Sequence, residues 1–274
     1  MVKNKAGLVE GIEGRGRLII IGGHEEHEGE RLILREVARH VKNGRLVLAT
    51  IASHEPEGYL ERYRASFADL GVNEVVELYV EDRHEAMLPE KLEALEGVHA
   101  VFFSGGDQLR ITSQIGDTPI YERIHAIFEA GGLIAGTSAG ASAMADTMLV
   151  RGQSAASFRI GDARMAPGLG LLPNVIIDQH FAERGRIGRL IGAVSQNPRV
   201  LGIGIDEDTA IVVEGHRFRV IGSGAVYLVD ASEVTHSNIA EAETDAALSI
   251  YDLTLHVLSA GDAFDLVTRR PAPA

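Results

Sequence analysis

Five short polar segments each follow an apolar run and carry side chains that can do chemistry: GGHEE at 22–26, SGGDQ at 104–108, GTSAG at 136–140, DQHF at 178–181 and IDED at 205–208. GTSAG fits the G-x-S-x-G turn, which holds a serine between a strand and a helix with its hydroxyl exposed. Side chains at the flanking positions would clash with the strand or the helix, so glycine is required there. Apolar Leu133 to Ala135 leads in and the small-residue run ASAMA follows, as a strand and a helix would. Ser138 is then a nucleophile, and the N–H of Ala139, at a helix N-terminus, can donate to a developing oxyanion. Gly105 and Gly106 let a second backbone N–H approach closely, with Gly106 as the donor. SGGDQ also reads as a tight turn with Asp107 capping a helix, and the two readings use different atoms.

A serine hydroxyl needs a base. Of the 11 histidines, His180 is best placed, just past the apolar Val175 to Ile177 and within the polar cluster Asp178-Gln179-His180. The plain alternative is a surface or capping histidine. The base needs a carboxylate on its far ring nitrogen. Glu207 is the candidate; Asp206 and Asp208 flank it, and chemistry alone does not choose among the three. The run His24-Glu25-Glu26-His27 looks like a metal site, but its spacing is shared by many solvated turns and no third ligand is evident. No metal is expected. Arg184, Arg186 and Arg189 follow His180 closely and suit carboxylates, which guanidinium groups bind in a bidentate fashion. A solvated helix face is the competing reading, most of all for Arg189.

The elements that must position these groups alternate. Apolar runs at Leu18–Ile21, Leu46–Ile51, Val75–Val80, Ala100–Phe103 and Leu133–Ala135 read as buried strands. Between them lie helical patterns: Leu34, Val37, Ala38 and Val41; Tyr59, Tyr63, Phe67 and Leu70; Leu88 to Leu95; and Ile120, Ile124, Ile127 and Phe128 after Pro119. The alternation predicts an α/β fold with a doubly wound, mainly parallel sheet, whose ligands bind beyond the carboxyl ends of its strands. A helix through Ile187, Leu190, Ile191 and Val194 follows, and residues 200–230 read as antiparallel hairpins with a turn at Gly222-Ser223-Gly224. Residues 1–16 read as a loosely attached arm and 215–274 as a β-rich C-terminal part. Without a linker or an internal repeat, 1–274 is read as a single domain.

The chain has 274 residues, 45% of them hydrophobic, enough for a sizeable core. With aromatics at 5% and no Trp, that core is expected to be aliphatic. A formal charge of -13 argues against a nucleic-acid binder, which would present a basic face. Cysteine is absent, which excludes disulfides, thiolate metal sites and a Cys nucleophile. The first residues lack a signal-peptide pattern, and no stretch approaches about 18 apolar residues. A cytoplasmic protein without membrane contact is expected. A non-catalytic nucleotide-binding module is the rival from another class. For it, Gly11, Gly14 and Gly16 approach G-x-G-x-x-G only loosely, and they precede a strand instead of following it.

GGHEE, FSGGDQLRIT, GTSAGASAM, DQHFAERGRIGRL and GIGIDEDTAIVV resemble, in order and spacing, the cyanophycinases of bacteria. These form a branch of the serine peptidase family that also contains the aspartyl dipeptidase called peptidase E. The resemblance covers most of residues 17–215. It implies a flavodoxin-like fold like that of class I glutamine amidotransferases, with serine in place of their cysteine. It implies Ser138, His180 and Glu207 as a triad, with Asp178, Gln179, Arg184, Arg186 and Arg189 lining the substrate pocket and Gln108 nearby. The implied reaction is exolytic hydrolysis of cyanophycin, a polyaspartate bearing arginine on each side-chain carboxyl, to β-Asp-Arg dipeptides, by a homodimer without a cofactor. The nearest rival within the family is an aspartyl dipeptidase acting on short Asp-X peptides.

Overall fold

The computed structural model describes residues 14–41, 44–151, 159–160 and 163–273; most of the expected arm, with Gly11, lies outside the described residues. In chain order the elements are β1 (Arg17–Ile21), α1 (Leu32–Arg39), β2 (Arg45–Ala49), α2 (Tyr59–Ala68), β3 (Glu74–Leu78), α3 (Pro89–Leu92), β4 (Ala100–Phe103), α4 (Gln108–Ile115), α5 (Pro119–Glu129), β5 (Leu133–Thr137) and α6 (Ala139–Ala143). There follow β6 (Thr147–Arg151), β7 (Arg164–Pro167), β8 (Val175–Gln179), α7 (Ile187–Gln196), β9 (Leu201–Ile205), β10 (Thr209–Glu214), β11 (Arg217–Gly222) and β12 (Val226–Asp230). The chain closes with β13 (His236–Ser237), β14 (Ile250–Tyr251), β15 (Thr254–Leu258), β16 (Ala263–Asp265) and β17 (Arg270–Ala272).

A nine-stranded sheet runs β17-β16-β11-β10-β1-β5-β4-β2-β3. Its β1-β5-β4-β2-β3 half is parallel, and β10, β11, β16 and β17 extend it antiparallel. Successive side chains of β1 enter opposite cores. Ile19 and Ile21 pack with α1 and α2 residues such as Val37 and Phe67, while Leu18 and Ile20 pack with Ile111, Ile124 and Ala139 of α4, α5 and α6. Burial on both faces is why the run is continuously apolar instead of alternating. The core is mainly aliphatic, yet Phe67, Phe102, Phe103, Phe128, Phe181, Phe218 and Phe264 are all fully buried within it.

One expectation is corrected. Residues 200–230 do not form one run of hairpins: β10 and β11 pair across the tight turn at Gly215, whereas β9 and β12 belong to a second sheet, β15-β12-β9-β8. The Gly222-Ser223-Gly224 turn carries the chain between the sheets. Strand periodicity is the same in either sheet, so sequence could not separate them. Ile177 and Ile203 of this second sheet join the main core, and its other face packs α7 through Ile176, Leu190 and Val194. The helix that Asp107 was read to cap is α4, and the Asp107 side chain accepts from the Leu109 N–H at 2.8 Å. Gly16 also finds a packing role. Its N–H donates to Phe128 O at 2.6 Å, and a Cβ there would lie 1.8 Å from Gly132 O. It seats the start of β1 against the turn after α5, which is no phosphate cradle.

Helix α6 lies unusually close to β4, since a Cβ on Gly140 would meet Phe103 O at 2.5 Å and Phe103 Cβ at 2.7 Å. Gly140→Ala is therefore expected to destabilise the protein by about 1–3 kcal/mol through overpacking. A thermal melt beside the parent checks this, and an unchanged midpoint would refute it.

Candidate active site

Three consecutive carbonyls at the end of β1 gather the segments that carry the reactive side chains. Ile21 O accepts the Ser138 N–H at 3.1 Å, Gly22 O accepts that of His180 at 2.8 Å, and Gly23 O accepts that of Asp208 at 2.8 Å. The glycines are dictated by proximity. A Cβ on Gly22 would fall 2.0 Å from Asp206 O, and one on Gly23 would fall 2.3 Å from Cε1 of the His180 ring. His24, Ser138, His180 and Asp208 all have positive φ, at 49°, 53°, 46° and 45°. Such conformations cost non-glycine residues about 1–3 kcal/mol each and persist where surrounding bonds over-determine them. The segments come from both sheets: 22–26, 104–108 and 136–140 follow strands of the large one, whereas 178–181 and 205–208 follow β8 and β9 of the small one.

The side chains meet in series. Ser138 Oγ lies 2.9 Å from His180 Nε2, and His180 Nδ1 lies 2.6 Å from Glu207 Oε1. A carboxylate on Nδ1 fixes the tautomer that leaves Nε2 free to take the hydroxyl proton. Burial pushes the His180 pKa below the ordinary histidine value, and its hydrogen bond to Glu207 opposes this in part. Partial burial would raise Glu207, but its hydrogen bond with His180 and the neighbouring His24 hold it below the usual carboxylate range. Base neutral, acid ionised: the pair is set for general-base work at neutral pH. Of the three neighbouring acids, Glu207 is the one whose carboxylate contacts His180 Nδ1. Asp206 is an anchor, accepting from the N–H groups of Ala182 and Ala225, and Asp208 accepts from the Glu26 N–H and the Ser223 hydroxyl.

Ser138 and His180 open into a cleft of about 460 Å³, whose walls include Gly105, Gly106, Arg62 and Arg184. The N–H groups of Gly106 and Ala139 have no acceptor among the described residues, so both remain available to an oxyanion. Together the cleft can activate an alcohol, hold an anionic intermediate and return a proton to a leaving group.

Residues 18–221 match Peptidase family S51. The chain belongs to this family. It is 39% identical over 260 residues to a cyanophycinase of Synechococcus elongatus, covering 93% of this chain and 81% of the relative. It is 40% identical over 261 residues to a cyanophycinase of Trichormus variabilis, covering 94% and 88%. A crystal structure of a peptidase from an acI-B1 Actinobacterium superposes with a TM-score of 0.67 at 22% identity, over 92% of this chain and 98% of that one, and supports the fold. The protein is thus a serine peptidase of family S51. No helix among the described residues is long and apolar enough to cross a membrane.

Of the six pocket residues the resemblance implied, only Arg184 is on the cleft wall among the described residues. Asp178, Arg186 and Arg189 are instead buried against one another: Arg189 grips both carboxylate oxygens of Asp178, and Arg186 Nη1 reaches Asp178 Oδ1 at 3.1 Å. Arg186 also donates to the Gln179 carbonyl at 2.5 Å and to its side-chain oxygen at 3.0 Å. Burial draws the Arg186 pKa down to about 10. In this S51 chain the cluster braces the end of β8 just before His180, which is why its charges face inward. Gln108 is likewise engaged, donating to Leu149 O at 3.0 Å.

A second group in the cleft has a role that sequence reasoning did not assign. Glu25 is buried, accepting from the Tyr63 hydroxyl at 2.5 Å and from the Thr137 hydroxyl at 2.6 Å. Burial and the adjacent Glu25 raise the Tyr63 phenol well above its usual pKa, so it stays a donor. Glu25 thereby ties α2 to the residue preceding Ser138. Tyr63 and Arg62 lie on a helix whose spacing marked only a core face, and no local signal separates the two uses. His24 and His27 diverge: His27 Nδ1 is 2.7 Å from Ser66 Oγ, while His24 Nδ1 is 3.0 Å from Glu207 Oε2.

A neutral His180 acting as base, its pKa lowered by burial, would put the acid limb of kcat/KM below about pH 6.5. Glu207→Gln removes the charge that favours the imidazolium, so the limb should move lower still while kcat falls by roughly 10³–10⁴-fold. A pH–rate profile of both proteins reads this; a limb that moves upward contradicts the assigned roles. Asp178→Ala strands two buried guanidinium groups and is expected to destabilise the protein by about 3–5 kcal/mol. Urea titration measures it.

Proposed function

We propose that this peptidase hydrolyses cyanophycin, multi-L-arginyl-poly-L-aspartate, from a chain end, releasing β-Asp-Arg dipeptides through an acyl-enzyme on Ser138. The observation that carries the reading is the unbroken series Ser138 Oγ, His180 and Glu207, with spacings of 2.9 and 2.6 Å at the mouth of a cleft. The charges of that cleft suit this substrate. Arg62 and Arg184 are exposed on its walls, and their guanidinium groups make no ion pair or hydrogen bond with the described residues. Each unit of the polymer carries a free carboxylate, which such groups bind in a bidentate fashion. The similarity to cyanophycinases over most of the chain supports the same substrate.

In the reaction Ser138 Oγ bonds to the scissile carbonyl carbon of an aspartyl unit while His180 Nε2 takes the hydroxyl proton. The carbonyl oxygen becomes an oxyanion facing the N–H groups of Gly106 and Ala139, each such donor contributing about 3–4 kcal/mol to the barrier reduction. His180 gives its proton to the departing amine as the C–N bond breaks. Water, deprotonated by His180, then cleaves the ester and returns Ser138. Glu207 stays ionised throughout and orients the ring.

Incubation of the purified protein with cyanophycin granules and, separately, with Asp-Leu is expected to clear the granules and release β-Asp-Arg, with Ser138→Ala inactive. Cleavage of Asp-Leu without clearing would assign the chain to the aspartyl dipeptidases instead.

A further inference from the structure

Glu207 has two oxygens, and each faces a different imidazole. Oε1 is 2.6 Å from His180 Nδ1 and Oε2 is 3.0 Å from His24 Nδ1. The two rings stand edge to face, with centroids 5.1 Å apart and planes at 84°. One ligand atom from each of the three residues lies within 4.8 Å of the other two. Ligands around a tetrahedral zinc ion with bonds of about 2.0–2.1 Å sit roughly 3.3 Å apart, a spacing this cluster reaches with small side-chain adjustments. Access is open, because the His24 side chain is 72% exposed, while His180, at 4%, and Glu207, at 26%, are held from behind.

We propose that His24, His180 and Glu207 form a site for a borderline transition-metal cation, Zn²⁺ foremost, whose binding switches the peptidase off. Two imidazoles and one carboxylate select Zn²⁺, Cu²⁺ or Ni²⁺ over the oxygen-seeking Mg²⁺ and Ca²⁺. Inhibition follows from proton bookkeeping. In the active form His180 carries its proton on Nδ1, toward Glu207, and offers the Nε2 lone pair to Ser138. A metal on Nδ1 takes the position of that proton, which moves by way of solvent to Nε2. The ring stays neutral with one proton, but Nε2 is then a donor and can no longer accept the hydroxyl proton of Ser138. No covalent bond between heavy atoms changes, so a chelator restores the active form. His24 is the element that makes the pair His180–Glu207 into a three-ligand site.

The metal binding stands apart from the substrate assignment, and only its inhibitory effect rests on the proposed peptidase chemistry. Two readouts that need no peptide substrate therefore test it. Zn²⁺ is titrated by calorimetry into Ser138→Ala and into the double variant with His24→Asn, asparagine being tolerant of the positive φ at that position. Outer-sphere partners of a metal are each worth about 10–100-fold in affinity, so loss of a direct ligand should weaken the site at least about tenfold. In parallel, a fluorophosphonate labels Ser138. Micromolar Zn²⁺ should slow this labelling in the parent, excess chelator should restore it, Mg²⁺ should leave it unchanged, and His24→Asn should need at least about tenfold more Zn²⁺. The proposal is overturned if calorimetry finds the same Zn²⁺ site in both variants, or if Mg²⁺ slows labelling as Zn²⁺ does. Failure of Ser138 to label without any metal would count against the peptidase chemistry, leaving calorimetry to decide on the site.

Discussion

The geometry of this protein hangs on the three carbonyls that end β1. A parallel strand in the middle of a sheet has used its polar groups on its neighbours by the time it reaches its carboxyl end, and those of the next residues are free to bind loops. Here Ile21, Gly22 and Gly23 each accept one N–H, from Ser138, from His180 and from Asp208, the neighbour of Glu207. Backbone–backbone bonds set these spacings, so only side-chain torsions remain to be fixed before the alcohol, the imidazole and the acid line up. The positive φ values at Ser138, His180 and Asp208 are the counterpart, since each loop must turn sharply to present its N–H to the same short stretch. Without the glycines the loops could not come so close.

Around this hub the charged residues divide by partner. Asp178 faces Arg186 and Arg189, and Asp230 faces Arg269, all of them buried. These clusters satisfy themselves, because an unpaired ion in a core is expensive. Asp206 and Asp208 cap backbone N–H groups of the loops beside the hub. The guanidinium groups of Arg62 and Arg184, which make no ion pair or hydrogen bond among the described residues, lie on the cleft. The distribution distinguishes structural from recognitive charge better than sequence position does, since Arg184, Arg186 and Arg189 sit within six residues and only the first faces the opening.

The strand–helix alternation, the elbow and the strand-end placement of all five polar segments were legible in the sequence, because each depends on local patterns: continuous apolar runs, helical spacing and paired glycines. The order of the sheets was not. LGIGI of β9 and TAIVV of β10 look alike yet enter different sheets, a choice made by packing between distant parts of the chain. The roles of Asp178, Arg186 and Arg189 were misjudged for a related reason. A cluster of charges near a catalytic loop reads the same whether it faces water or its own members, and only burial separates the cases. Glu25 was read only as part of a metal-like run, because its two hydroxyl partners, on Tyr63 and Thr137, lie 38 and 112 residues away.

The carboxylate of Glu207 serves two ends at once. Orienting His180 needs one oxygen on Nδ1, and that bond is worth most when the acid is firmly placed and ionised. The same qualities, a fixed anion beside a neutral imidazole, define half of a metal site, and they leave the second oxygen for another partner. Here it meets another imidazole. His24 stands at that oxygen because its own residue follows Gly23, whose carbonyl belongs to the hub and whose missing side chain makes room for the His180 ring. The hub that assembles the reactive series therefore also delivers a third nitrogen or oxygen donor to it, so the susceptibility of this base to a competing cation arises from the same backbone contacts as its alignment.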